Sequence, residues 1–176
     1  MIFFPLLSSI ILIPLFGALI TFFIKGEEKE TIKNIRDLAL WISLTELVLV
    51  IFTAVQYNPG IKDFQFIERK VLLSKYQISY YLGVDSISMV FILLTAILVP
   101  ICIHYSKYSI KTRVKEFIIS FLILEALIMG VFCALDILLF YIFFESLLIP
   151  MFLIIGIWGG KRRVYAAFKF FIYTLA

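Results

Sequence analysis

The sequence predicts an all-α polytopic membrane protein: five complete transmembrane helices, the start of a sixth, and a small β-hairpin in the outer loop between helices 2 and 3. Three observations predict it. Of the 176 residues, 63% are hydrophobic and the mean hydropathy is +1.09, whereas a soluble domain is only about half apolar. A soluble core cannot hide that much apolar surface, so a bilayer is the natural solvent. Five apolar runs approach or exceed the roughly 20 residues that cross about 30 Å of hydrocarbon. The net charge of +4 comes from short basic clusters between those runs, which is a topology signal and not a nucleic-acid patch.

The elements follow in order. Ile2–Ile24 has no basic segment before it and no small-residue cleavage site after it, so it reads as a span and not a signal peptide. Leu38–Val55 is the second span. The long loop from Gln56 to Gly83 carries a turn signal, Asn58–Gly60, then FQF and YQISY, which alternate apolar and polar residues as strands do. A β-hairpin on the outer surface is expected there. Val84–Tyr105, Val114–Leu135 and Asp136–Trp158 are the next three spans. A sixth starts near Val164, and its residues to Ala176 reach only about 20 Å at 1.5 Å each. The sequence is therefore expected to be the N-terminal part of a longer protein. Lys25, Lys29, Lys33 and Arg36, then Lys107, Lys111, Arg113 and Lys115, then Lys161, Arg162 and Arg163 fall on one side. The opposite side holds Lys62, Arg69, Lys70 and Lys75. The positive-inside rule puts the N-terminus outside.

Acids in the apolar runs are the functional candidates. A mid-bilayer carboxylate costs at least about 2.5–3.5 kcal/mol and faces protein or a water-filled path. Glu46, Glu125 and Glu145 qualify by depth. Ala134–Asp136 leaves almost no loop between spans four and five, which predicts a tight antiparallel hairpin. Glu125, ten residues before Leu135, and Glu145, nine after Asp136, then lie about 14–15 Å from the turn. Depth alone does not say whether they face each other. Such acids serve either as proton relays or as protonated partners in a helix-to-helix hydrogen bond. Pro150 leaves the carbonyl of Ser146 without its amide donor, which frees an acceptor beside Glu145. Glu46 is read as a local or interhelical hydrogen-bonding group. Asp85 and Asp136 stand where helix N-caps are expected, with a proton role for Asp136 as the lesser reading. Lys169 is expected to snorkel, or else to join a proton path. His104 is an interfacial histidine.

Cys102 and Cys133 lie in separate apolar runs and suit neither a disulfide nor a metal site. No glycine-rich phosphate loop, dinucleotide fingerprint or ligand-spaced His or Cys pair is present. A flavin, haem, iron–sulfur cluster or nucleotide is not expected on this chain.

YYLGVDSISMVFILLT (Tyr80–Thr95), MGVFCALDILLFYIFFESLLIPMFLIIGIWGG (Met129–Gly160) and AAFKFFIYTLA (Ala166–Ala176) resemble one family. It is the antiporter-like chain M of the proton-pumping NADH:quinone oxidoreductase, called subunit 4 in mitochondria. The resemblance implies that residues 1–113 are flanking helices with the outer hairpin, and that 114–176 begin the first of two inverted repeats. It implies that Glu145, on the fifth helix, belongs to the proton path and works with a Lys on the seventh. It places Asp136 on the family's ALD motif. Glu125, an acid in some members and apolar in others, is a possible relay. NADH, flavin, iron–sulfur clusters and quinone are implied in partner subunits of the membrane-bound complex, in a bacterial or mitochondrial inner membrane. The rival readings are the large subunit of a multisubunit cation/proton antiporter, which shares the Glu motif, and a membrane scaffold with no proton path.

Overall fold

The computed structural model describes residues 5–26, 28–73 and 78–175, and among these residues it has six helices and one two-stranded sheet. In order they are α1 (Leu6–Phe23), α2 (Lys29–Gln56), β1 (Gln65–Leu73), β2 (Ile78–Val84), α3 (Ser86–Ser109), α4 (Val114–Cys133), α5 (Ile137–Trp158) and α6 (Arg163–Leu175). The first five helices are long and apolar enough to cross a membrane, so the expected fold class holds among the described residues. The first span's expected residues 2–4, Lys75 and part of YQISY lie outside the described residues.

One boundary differs from the expectation. The charged stretch from Lys29 to Asp37 was expected as loop, but it is the first part of α2. Hydropathy stops where charge begins, whereas the helix does not: Lys, Glu and Ile are adequate helix formers, and Ile35 is fully buried. Arg36 ties this extension to the loop before α4 by donating to the carbonyl of Ile110 at 2.7 Å.

The hairpin forms as expected, with β1 antiparallel to β2. It does more than lie on the surface. Leu82 bridges Ala134, and the Leu135 amide donates to the Tyr81 carbonyl at 2.9 Å. The tight α4–α5 turn is thereby sewn to the sheet. Glu68 of β1 accepts from the backbone amides of Leu7 (2.8 Å) and Ser8 (3.1 Å) and from the Ser8 hydroxyl. It thus caps α1 from outside that helix, where Pro5 provides no side-chain cap. Ser8 Oγ also lies 3.0 Å from the Tyr80 hydroxyl, which burial pushes above its ordinary pKa.

Asp85 caps α3 by accepting from the Ser88 amide at 2.8 Å. Asp136 caps α5 through the amides of Leu138 and Leu139, at 2.9 and 3.2 Å. Its second oxygen accepts from the Ser79 hydroxyl at 3.2 Å. Both carboxyls are held below the ordinary carboxylate range, chiefly by these helix amides.

α4 is the central helix and packs against α1, α2, α3 and α5. Two apolar layers surround it. The hairpin-side layer includes Leu7, Val50, Ile92, Met129 and Cys133; the basic-side layer includes Ala39, Ile103, Ile118 and Leu122. In lipid, such packing depends on close approach at small residues. Gly130 is one such point, since a Cβ there would lie 2.6 Å from the Phe143 ring of α5. We expect Gly130→Leu to destabilise the α4–α5 pair by about 1–3 kcal/mol through overpacking. Denaturation of the purified protein in detergent reads this, and Phe143→Ala in the same chain should recover part of the loss.

Candidate functional site: acids at mid-membrane

Three helices bring acids to one depth. Glu46 lies ten residues before the end of α2, Glu125 eight before the end of α4, and Glu145 eight after the start of α5. At 1.5 Å per residue all three sit about 12–15 Å from the hairpin end. The depth expected for Glu125 and Glu145 therefore follows from the observed helix limits.

Their directions differ. Gly130 marks the side of α4 that meets α5. Glu125 precedes it by five residues, about 140° around the helix. α2 packs against α4, and Glu46 of α2, fully buried at the same depth, is the neighbouring acid of Glu125. On α5, Phe152 stacks edge-on with Phe168 and Phe171 of α6, and Gly156 lies beside Ala167. Glu145 is seven residues before Phe152, about two turns, and so shares the stripe that meets α6. It is half-buried, whereas Glu46 and Glu125 are both fully buried. The acids of the α4–α5 hairpin thus share a depth and face different neighbours.

Glu46, for which the sequence suggests a local or interhelical hydrogen bond, has Glu125 of the packed helix α4 as its neighbouring polar side chain. None of the four carboxyl oxygens of Glu46 and Glu125 receives a hydrogen bond from any donor among the described residues. The pair occupies the level between the two apolar layers, with Ala39 and Leu122 on one side and Val50 and Met129 on the other. Equal depth was the signal in the sequence that could have joined them. It was missed because α2 and α4 are not consecutive, and which helices touch is a tertiary fact.

The remaining candidates are elsewhere. Asp136 is the α5 cap at the hairpin end. Lys169 is exposed on α6, its ammonium 5.6 Å from the centre of the Tyr173 ring. His104 is exposed beside Lys107, Arg36 and Asp37 at the basic end. Among the described residues no three His, Cys, Asp or Glu side chains come together as metal ligands would.

Comparison with known proteins gives this arrangement a family. Residues 6–135 match the family model for the amino terminus of NADH-ubiquinone oxidoreductase chain 4. The chain belongs to that family. Residues 134–176 match a second model, the transmembrane region of NADH:quinone oxidoreductase and Mrp antiporters. The chain is 43% identical to NADH-ubiquinone oxidoreductase chain 4 of Marchantia polymorpha over 174 residues, covering 98% of this chain and 34% of that one. It is 45% identical to NADH-quinone oxidoreductase subunit M of Rhodobacter capsulatus over 170 residues, covering 96% of this chain and 33% of that one. It therefore spans about a third of the length of these relatives. Its fold superposes on a chain of respiratory complex I from Thermus thermophilus with a TM-score of 0.80 and 24% identity, covering 96% of this chain and 32% of the other. This likeness is one of fold.

Proposed function

We propose that this chain is part of a proton-translocating membrane-arm subunit of NADH:quinone oxidoreductase, which couples electron transfer in partner subunits to proton movement. Family membership is the observation that carries the reading. Glu145 is the central carboxylate: a half-buried acid near mid-membrane, on the helix stripe turned toward α6. An acid there releases and regains a proton as a cation on a neighbouring helix approaches and withdraws. The family resemblance implies a Lys on a seventh helix as that cation; Lys169 is exposed and has no acid partner among the described residues. Glu125 is a relay candidate, and Asp136 acts as a cap. NADH, flavin, iron–sulfur clusters and quinone belong to partner subunits. The membrane is a bacterial or mitochondrial inner membrane, with the hairpin and the N-terminus on the outer side, a reading that the distribution of basic residues supports.

The second family model names Mrp antiporters as well, which keeps the antiporter subunit as the rival reading. Affinity purification of the tagged full-length protein from its native membrane separates the two. We expect flavin, iron–sulfur clusters and NADH-oxidising activity to come with it. A protein that brings none of these but exchanges sodium for protons in vesicles supports the antiporter instead.

A further inference from the structure

The two buried acids of α2 and α4 need a partner, and the surrounding helices offer none. α1 contains no titratable residue, and its Thr21 hydroxyl is given to the Gly17 carbonyl. On α2, Ser43 lies one turn from Glu46, but its hydroxyl donates to the Leu40 carbonyl at 3.1 Å; that of Thr53 goes to Leu49 at 2.9 Å. The face of α3 that is buried at this level, Ile92, Ala96 and Val99, is apolar. The Asp85 and His104 side chains of α3 sit at its two ends. On α4 the Cys133 thiol is buried two turns beyond Glu125. On α5 the acid is Glu145, on the stripe toward α6. No Lys or Arg is present in the membrane-level parts of α1, α3, α4 or α5 around the pair.

Two facing carboxylates with no cation and no donor are a costly arrangement: both charges are desolvated, each repels the other, and four acceptors stay unsatisfied. One proton removes most of the difficulty. A protonated carboxyl donates its O–H to the carboxylate opposite, which leaves a single negative charge spread over a hydrogen-bonded dyad. We propose that Glu46 and Glu125 hold one proton between them, forming a proton-binding site that joins α2 to α4 and is separate from Glu145. The ligand is the proton itself, and the site draws α2, a flanking helix, into the protonatable interior of the subunit. This site does not depend on the redox-coupled reading of the chain, because its occupancy can be measured without turnover.

Infrared difference spectroscopy of the assembled wild-type complex on exchange from water to deuterium oxide reads protonated carboxyls directly. We expect a carbonyl-stretch band that shifts on exchange. Glu46→Gln and Glu125→Gln should each keep one protonated carboxyl, because the remaining acid is still desolvated, but its band should move in frequency once the O–H no longer meets a carboxylate. The double variant should remove the band. A band left unchanged by the double variant overturns the proposal. So does stepwise loss, in which each single variant removes half of the band and the double removes all, because it denotes two independent protons. If Glu46→Gln fails to assemble, Glu125→Gln alone still decides whether the band belongs to the pair.

Discussion

Glu68→Ala is expected to release the hairpin from the first span. Among the described residues Glu68 is the only side-chain acceptor for the α1 amides of Leu7 and Ser8, and it also accepts from the Ser8 hydroxyl. Hydrogen bonds to a charged group contribute about 1.5–3 kcal/mol each to local stability when half-buried, and a partner removed from one end leaves orphaned amides at the start of α1. The loss should fall on one local unit: β1, the Tyr80 hydroxyl beside Ser8, and the first turn of α1. Hydrogen exchange of the full-length protein in detergent reads it. Protection should drop in residues 6–10 and 65–71, by about tenfold or more, while the α3–α4 interface keeps its protection. A uniform loss across all helices would mean that Glu68 supports the whole bundle and not this latch. Glu68→Gln, which keeps an acceptor oxygen but loses the charge, should give a smaller effect.

Much of the fold was legible because its signals are local. Run length and hydropathy gave the five spans, and alternation after Asn58–Gly60 gave the hairpin. Asp85 and Asp136 marked the starts of α3 and α5 because an N-cap is a relation between a side chain and amides two or three residues on. What could not be read was tertiary. The extension of α2 through Lys29–Asp37 depends on Ile35 finding cover and Arg36 finding the Ile110 carbonyl, neither of which hydropathy records. Glu68, in a polar stretch of a strand, carries no sign that it caps a helix some sixty residues earlier. The same limit applied to the acids. Depth counting placed Glu125 and Glu145 at one level, but only helix rotation and neighbours show that Glu125 looks toward Glu46 while Glu145 shares the α6 stripe.

The larger functional effect is expected at Glu145. Gln has nearly the same size and can still donate and accept hydrogen bonds, so Glu145→Gln should leave helix packing and assembly intact. It cannot release a proton. If Glu145 carries protons through the subunit, the loss of that single group should reduce coupled activity by about a hundredfold or more, from the lower end of the range for a missing acid–base group. Glu145→Asp, which keeps the carboxyl one methylene shorter, should retain part of it. The control is the structural pair: Gly130→Leu should lower assembly and activity together, whereas Glu145→Gln should lower activity alone.

The most direct measurement is proton uptake or release per NADH oxidised by the intact complex in sealed vesicles, compared between wild type and Glu145→Gln at equal complex content. The proposed function predicts an assembled variant complex that oxidises NADH slowly and moves few protons. An assembled Glu145→Gln complex with wild-type rate and wild-type proton yield would contradict it.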